Sequence, residues 1–173
     1  NADVLESIAS LRPDAVHPSP ATLRIIRDKY AQKEYLKAHG IPVAAAQPVD
    51  TCTSIQNAAL EYGYPLVLKS RFGAYDGRGN ALIRNESDIT AAFEKLGGVH
   101  LYVEQYVPFV QELAVVAARS VDGTCALYPV VETVHENHIC HTVTMPAPVS
   151  SVIAEEAERV AYKVLTALGG AGV

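Results

Sequence analysis

The chain has 173 residues, of which 49% are hydrophobic and 19% charged, and its formal net charge is −5 at pH 7. This length can bury a sizeable core, and the acidic balance argues against a general nucleic-acid binder or a membrane-surface protein. No apolar run is long enough to span a membrane. The three cysteines are odd in number and lack metal-ligand spacing, so we expect a reducing, cytoplasmic environment.

The amino-terminal part is expected to be mainly helical. Residues 3–10 have a weak helical pattern. Ser19-Pro20 is typical of a helix start, with a capping residue before proline, and helical spacing of apolar residues continues to Gly40. The sequence therefore predicts one helix between these two points.

A short extended segment and a second helix follow. Residues 43–49 are expected to be extended. Thr53 with Gln56 matches a capping-box pattern, which predicts a helix that ends near Tyr62. Gly63 and the Tyr64-Pro65 pair come directly after it and favour a stop at that position.

A cationic, glycine-rich loop then links two apolar runs. Residues 65–68 are expected to form a strand that leads into Lys69, and residues 81–83 begin the next strand. The segment 69–80 between them contains three glycines and two arginines. Such a loop is suited to covering a polyphosphate, because glycine lets backbone N–H groups approach and basic side chains supply counter-charge. An ordinary β-hairpin turning at Asp76-Gly77 with solvated basic residues explains the pattern equally well.

The second half is expected to be mainly antiparallel. Ser87 is predicted to cap a helix closed by Gly97-Gly98, and Asp122-Gly123 is a strong two-residue hairpin signal. A final helix is expected over 151–168. The predicted strands are 100–107, 112–121, 124–134 and 138–145. This order of elements predicts an α+β fold.

Several polar residues in the strands are candidates for chemistry. Alternation in the first of these strands places Tyr102 and Glu104 on the face opposite Leu101. Glu112 and Glu132 lie at the outer ends of the predicted hairpin, where a carboxylate can accept ribose hydroxyls, hold a metal or pair with a basic residue. The sequence alone leaves these three roles open.

The histidines near position 140 do not predict a metal site. His135, His138 and His141 surround Cys140, but a spacing of three suits one face of a helix, and this segment is predicted to be strand–turn–strand. No serine or cysteine lies in a nucleophile-elbow pattern, so covalent catalysis has no support.

Several short motifs together resemble one enzyme superfamily. They are Asp28-Lys29-Tyr30 with Gln32-Lys33, Gly40-Ile41-Pro42, the segment 68–79, Val103-Glu104-Gln105, Gln111-Glu112-Leu113-Ala114-Val115, Arg119-Ser120, the segment 128–132, His135 and Ile139-Cys140-His141. Their order and spacing are similar to the ATP-grasp superfamily, and more narrowly to the 5-carboxyaminoimidazole ribonucleotide synthetase family, which includes the matching region of fungal phosphoribosylaminoimidazole carboxylases. The resemblance implies a two-lobed ATP-grasp domain with antiparallel sheets flanked by helices.

The resemblance implies an activity and its small-molecule partners. ATP phosphorylates bicarbonate to carboxyphosphate, and the exocyclic amine of aminoimidazole ribonucleotide captures the carboxyl group, in de novo purine biosynthesis. Magnesium assists, and no nucleic acid or membrane takes part. The resemblance further implies a homodimeric parent enzyme, and it allows a fusion to a mutase or carboxylase domain.

Roles for individual residues follow from the same resemblance. Tyr75, Asp76 and Arg78 would handle bicarbonate and the transferred group. The implied nucleotide-binding positions are Lys29 and Lys69 on the phosphates; Ala74, Tyr75, Asp76, Gly77, Arg78, Gly79 and Asn80 in the loop over them; Glu104, Gln105, Tyr106 and Val107 beside the adenine; Glu112 on the ribose; and His135 near the nucleotide.

The resemblance also implies domain boundaries and an incomplete site. Residues 1–18 would be the end of an amino-terminal nucleotide-substrate domain, and residues 19–173 an ATP-grasp domain without its carboxy-terminal part. The magnesium ligands are expected after Val173, so no metal ligand is assigned here, and we expect the 173 residues alone to lack carboxylating activity.

Two other functions remain in view. One is another ATP-grasp carboxylase or carboxylate–amine ligase, for instance a biotin carboxylase-like protein, which the segments 75–79 and 128–132 disfavour. The other is a non-catalytic nucleotide-binding module. Intact Lys69 and Glu112 argue against such a loss of function in the parent protein.

Overall fold

The computed structural model describes residues 2–12, 16–73, 78–136 and 139–172. Its helices are α1 (Ala2–Leu11), α2 (Pro20–Arg27), α3 (Lys29–Ala38), α4 (Cys52–Tyr62), α5 (Ile89–Lys95) and α6 (Ser151–Leu168), with a 3₁₀ turn at Glu86–Asp88. Within these ranges, no helix combines the length and the apolar character needed to cross a lipid bilayer.

The described strands form three antiparallel sheets. In chain order they are β1 (Ala46–Val49), β2 (Leu66–Ser70), β3 (Asn80–Ile83), β4 (Leu101–Gln105), β5 (Leu113–Ala114), β6 (Ala117–Arg119), β7 (Cys125–Leu127), β8 (Val131–Glu136) and β9 (Ile139–Thr144). The sheets have the orders β1-β4-β2-β3, β5-β8-β9 and β6-β7. Helices flank antiparallel sheets, so the predicted α+β class is confirmed.

The hydrophobic core lies on one face of the four-stranded sheet. Leu66 and Leu68 point to this face and are fully buried, as is Val103 on the neighbouring strand. Helices α4 and α5 cover them with Ile55 and Ile89. Because side chains alternate along a strand, the residues between these apolar positions point to the opposite face. The face of the sheet opposite the core therefore carries a different set of side chains, which includes Lys69, Tyr102 and Glu104.

Helix α3 packs against the second face of the sheet. The Tyr30 and Tyr102 rings have centroids 5.8 Å apart, and Tyr102 is only 2% exposed. Burial raises the pKa of the Tyr102 phenol, and the nearby Glu104 carboxylate raises it further. This phenol therefore remains neutral at physiological pH. Tyr102 and Glu104 on the second face are consequently enclosed between the sheet and α3.

The second half of the chain is attached to the first through the end of α6. The Tyr35 hydroxyl donates to the Ala167 carbonyl at 2.6 Å, and the Thr22 hydroxyl donates to the Leu168 carbonyl at 3.2 Å. Arg119 donates to the Gly169 carbonyl at 2.8 Å. These contacts join α2, α3 and the β6–β7 hairpin around one helix terminus.

Two predicted elements are divided in the structure. The helix expected from Ser19-Pro20 to Gly40 is wrong as a single element, because Asp28 separates α2 from α3. Its backbone is extended, and its carboxylate accepts from the N–H groups of Tyr30 and Ala31 as the N-cap of α3. A short acidic side chain that bonds to nearby N–H groups competes with helix continuation.

The long hairpin expected over 112–134 is also divided. Residues 112–121 contain β5 and β6, which belong to different sheets, and residues 124–134 contain β7 and β8. Pro129 lies between β7 and β8 and has no N–H to donate to a ladder. A hairpin turn at Asp122-Gly123 is confirmed, since it joins β6 to β7, but its loop is longer than the predicted two residues: Arg119 pairs with Cys125, the Ser120 N–H donates to the Thr124 carbonyl at 2.8 Å, and Gly123 has φ +89°.

Other predicted elements are confirmed with small shifts at their ends. They are the helices over 3–10 and 151–168 and the strands at 66–70, 80–83 and 101–105. The strand predicted from residue 138 begins at Ile139, and His138 lies outside the described residues.

The capping box of α4 differs from the predicted one. Thr51, rather than Thr53, is the N-cap: its hydroxyl accepts from the Ser54 N–H at 3.1 Å, and the Ser54 hydroxyl accepts from the Thr51 N–H at 3.1 Å. Thr51→Ala should therefore lower the free energy of unfolding by about 1 kcal/mol, as for other N-cap losses. Urea unfolding measures this change.

Thr53→Ala is the matched control, because Thr53 is exposed inside the first turn of α4. We expect it to be neutral or slightly stabilising, since alanine favours helix more than threonine does. A larger loss for Thr53→Ala than for Thr51→Ala would restore the capping box predicted from the sequence.

Candidate functional site

A cleft of about 740 Å³ opens at the free edge of the four-stranded sheet. We call it the sheet-edge cleft. The segment that leads from β4 toward the second half of the chain forms part of its wall. The lining residues include Val67, Lys69, Asn80 and Leu82 from β2 and β3, and Tyr106, Phe109 and Glu112 from that segment. This volume lies within the ordinary range for small-molecule sites.

The sheet register explains which residues enter the cleft. Lys69 pairs with Asn80, and Val67 pairs with Leu82, so all four side chains lie on the face opposite the core. The same alternation that buries Leu66 and Leu68 therefore presents a lysine and an amide to the cleft. A one-residue slip in register would turn Val67 and Lys69 toward the core and Leu66 and Leu68 toward the cleft.

Lys69 belongs to a partly buried group of three charges. Its Nζ lies 2.8 Å from Glu104 Oε2, and Lys33 Nζ lies 2.9 Å from Glu104 Oε1. The Glu104 side chain is 12% exposed, that of Lys69 is 27% exposed, and that of Lys33 is 16% exposed. Two ammonium groups share one carboxylate, so the group carries a net positive charge beside the cleft.

The contact between Glu104 and Lys69 is an ion pair without regular hydrogen-bond geometry. Glu104 Oε2 is buried and has no hydrogen-bond partner among the described residues, although Lys69 Nζ is only 2.8 Å away. The contact is assigned as an ion pair because the ammonium and the carboxylate oxygen are only 2.8 Å apart, and charges this close interact strongly whatever the angle. An ammonium held in this way retains donors that can turn toward an anion.

Glu112 is held on the other side of the cleft by residues of β8. Its Oε1 accepts from the Thr133 hydroxyl at 2.9 Å and lies 3.3 Å from His135 Nδ1. The Glu112 side chain is 46% exposed, so the carboxylate keeps access to the cleft. The predicted ribose acceptor and the predicted nucleotide-contacting histidine are thus direct neighbours.

The glycine-rich loop is described only at its ends. Ala74, Tyr75, Asp76 and Gly77 lie outside the described residues. Arg78 is exposed and Gly79 is buried beside a smaller cavity of about 310 Å³, and the Gly79 carbonyl accepts from the Ser70 N–H at 2.9 Å. This bond and the pairing of Lys69 with Asn80 keep the two strands together at the base of the loop.

The remaining predicted positions lie around the cleft but not in its lining. Lys29 is the first residue of α3, and its N–H donates to the Arg71 carbonyl at 3.0 Å. Gln105 is exposed, and its N–H donates to the Ala45 carbonyl. The Val107 carbonyl accepts from the Phe109 N–H at 2.9 Å. Four of the predicted residues, Lys69, Asn80, Tyr106 and Glu112, line the sheet-edge cleft together.

Several residues near the site were not predicted as site residues. Lys33 belongs to a motif of the resemblance but received no role, although it lies four residues after Lys29 and shares its face of the helix. Phe109 and Thr133 had no sequence signal that separated them from ordinary loop and strand residues. Asp28 and Arg71, which form an ion pair beside Lys29, are 43 positions apart, and nothing local links them.

The described residues do not form a metal site. No three histidine, cysteine, aspartate or glutamate side chains converge within residues 2–12, 16–73, 78–136 and 139–172. The residues present here therefore do not fit the magnesium that the resemblance implies, and we derive no step through it. A second cavity, between α6 and β5–β6, is almost entirely apolar and lacks basic groups.

Comparison with known proteins identifies relatives that match nearly the whole chain. A phosphoribosylaminoimidazole carboxylase from Ogataea methanolica is 41% identical over 174 residues, which cover 100% of this chain and 32% of that protein. The crystal structure of carboxyaminoimidazole ribonucleotide synthase from Aspergillus clavatus complexed with ATP matches with a TM-score of 0.93 and 38% identity, over 99% of this chain and 45% of that one.

A second structure of the Aspergillus clavatus enzyme, in complex with ADP and 5-aminoimidazole ribonucleotide, matches over 99% of this chain and 45% of that one, with a TM-score of 0.89 and 36% identity. The chain thus spans about a third of the curated relative and under half of the solved structures. The ATP-grasp domain family matches residues 34–173, which is most of the sequence. The chain belongs to the ATP-grasp family.

Proposed function

We propose that this chain is the ATP-binding portion of a ligase that carboxylates aminoimidazole ribonucleotide with bicarbonate, through carboxyphosphate, in de novo purine biosynthesis. The observation that carries the proposal is the placement of Lys69 and Glu112 in one cleft. A cation suits the phosphates of ATP, and a carboxylate acceptor suits its ribose hydroxyls. The likeness to relatives of this activity supports the choice of substrate.

In this proposal the protein acts mainly by positioning and charge neutralisation. Lys69 binds the phosphate chain, and the net positive charge of Lys69, Lys33 and Glu104 favours the anion. Tyr106 and Phe109 supply apolar surface for a base, and Glu112 orients the sugar. Tyr75, Asp76 and Arg78 remain predictions for the groups that handle bicarbonate.

The proposal extends to the organisation of the protein. We assign residues 19–173 to the ATP-grasp unit and residues 1–18 to the end of a preceding substrate domain, which the exposure of Leu11 (81%) supports. Free thiols at Cys52, Cys125 and Cys140 support a reducing, cytoplasmic location. The homodimer, the fusion to a second domain and the magnesium ligands stay predictions.

The activity is tested with the full-length protein. We expect ADP formation from ATP that requires both bicarbonate and aminoimidazole ribonucleotide.

Glu112→Gln should raise the KM for ATP by about tenfold, because an amide accepts hydrogen bonds from the ribose hydroxyls less strongly than a carboxylate does. Steady-state measurement of ADP checks both statements.

Glu136→Gln is the matched control, since Glu136 is an exposed β8 carboxylate that lies 3.6 Å from His141 Nδ1 and does not line the sheet-edge cleft. We expect its KM to equal that of the unaltered protein. ADP formation that depends on bicarbonate and biotin instead of aminoimidazole ribonucleotide would favour another ATP-grasp carboxylase. ATP binding without any turnover would favour a non-catalytic module.

A further inference from the structure

A two-pronged ion pair connects the start of α3 to the end of β2. Arg71 Nε donates to Asp28 Oδ1 at 3.0 Å, and Arg71 Nη2 donates to Asp28 Oδ2. The Asp28 side chain is 13% exposed and the Arg71 side chain 29%. Paired N–H···O bonds of this kind fix orientation as well as distance. We call these two residues the Asp28–Arg71 pair.

The backbone reinforces the same connection. The Lys29 N–H donates to the Arg71 carbonyl at 3.0 Å, and the Arg71 N–H donates to the His100 carbonyl at 2.9 Å. Asp28 also caps α3 through the N–H groups of Tyr30 and Ala31. Arg71 therefore contacts both the start of α3 and His100, the residue directly before β4.

Aromatic rings restrict the guanidinium further. The Arg71 Cζ lies 5.4 Å from the Tyr30 ring centroid and 5.7 Å from that of Phe72. Burial by itself raises the pKa of Asp28, but bonds from Arg71 and from the Ala31 and Tyr30 N–H groups outweigh it, so the net pKa lies below its ordinary value. The carboxylate therefore stays charged at neutral pH.

The location of the pair relates it to both predicted phosphate-binding lysines. Asp28 directly precedes Lys29 in the chain. Arg71 lies two residues after Lys69, directly beyond the end of β2. Neither Asp28 nor Arg71 lines the sheet-edge cleft. We propose that the Asp28–Arg71 pair is a positioning device that sets the separation and orientation of Lys29 and Lys69, and so determines the affinity for the polyphosphate part of the nucleotide.

This inference rests on the proposed function, because it needs ATP as the ligand. It goes further by assigning a role to two residues that do not contact the cleft. A displacement of about 1 Å in a positioning group can cost much of its effect. Loss of the pair should therefore weaken binding of ligands that carry phosphates, while binding of adenosine should change little.

Two variants separate the ion pair from its neighbours. Asp28→Asn keeps a side-chain oxygen that can cap α3 and removes the charge. Arg71→Gln removes the guanidinium. We expect each to weaken ATP binding by about fivefold or more in isothermal titration, with adenosine affinity within twofold of the unaltered protein. Arg71→Lys keeps the charge without the fork and should be intermediate.

The matched control is Arg159→Gln in α6. Arg159 makes the same kind of two-pronged contact with Glu156, but that pair is exposed on a helix away from the cleft. The Arg159→Gln variant should bind ATP with the same affinity as the unaltered protein. Equal ATP and adenosine losses in Asp28→Asn would mean that the pair only stabilises the fold, and would overturn the inference.

A double-mutant cycle supplies the second readout. If Arg71 acts through the lysines, Arg71→Gln should weaken ATP binding far less in a Lys69→Ala background than alone. Full additivity would overturn the inference. If Asp28→Asn and Arg71→Gln bind ATP as tightly as the unaltered protein does, the inference fails while the proposed function stands. If the unaltered protein does not bind ATP, both fail.

Discussion

Lys69→Ala should weaken ATP binding about tenfold to a hundredfold, because a hydrogen bond to a charged group contributes about 1.5–3 kcal/mol. Lys69 lines the sheet-edge cleft, and its ammonium is already held in place by Glu104 at 2.8 Å. In the full-length protein, the affinity for aminoimidazole ribonucleotide should fall much less. Titration calorimetry with each ligand measures both affinities.

Lys163→Ala controls for the loss of one positive charge, since Lys163 is exposed on α6. A loss of the same size in this variant would assign the effect to net charge. Unfolding should be followed in parallel, because Lys69→Ala leaves Glu104 paired with Lys33 only. An unchanged ATP affinity in folded Lys69→Ala would remove this lysine from the phosphate site.

Leu68→Ala should lower the free energy of unfolding by about 2–5 kcal/mol, the usual cost of a leucine-to-alanine change in a well-packed core. Leu68 is fully buried in the central strand β2, between β3 and β4, and belongs to the cluster that α4 and α5 cover. The cavity left behind would adjoin the strand that carries Lys69. Urea unfolding measures the change in stability.

Leu60→Ala is the matched control, because Leu60 lies on α4 but is 88% exposed. The same chemical change there should alter stability by less than about 0.5 kcal/mol. Comparable losses in the two variants would mean that the core does not lie on the face we describe.

Local patterns predicted the separate elements of the site well. The apolar run before Lys69, the glycines after it and the alternation around Glu104 are each short-range features, and the strands they predict are confirmed. Alternation has a period of two, so a sequence that buries Leu66 and Leu68 must place Lys69 on the other face once the strand forms. No distant part of the chain is needed for that step.

Long-range contacts decided what the sequence did not predict. Asp28 divides a helix because its carboxylate both caps α3 and pairs with Arg71, which comes 43 residues later. Glu104 was assigned to the adenine by resemblance, whereas the structure places its carboxylate between Lys33 and Lys69. Both contacts depend on how α3 packs on the sheet, and no local pattern encodes that packing.

The sequence by itself determined the α+β class, the strand that presents Lys69 and the family to which the chain belongs, because these depend on short-range periodicity and on motifs. Only the tertiary structure decided that Lys69, Asn80, Tyr106 and Glu112 share one cleft and that an ion pair joins α3 to β2. The physical reason is that strand register and helix packing bring together residues far apart in the chain, and these depend on the whole core rather than on any one segment.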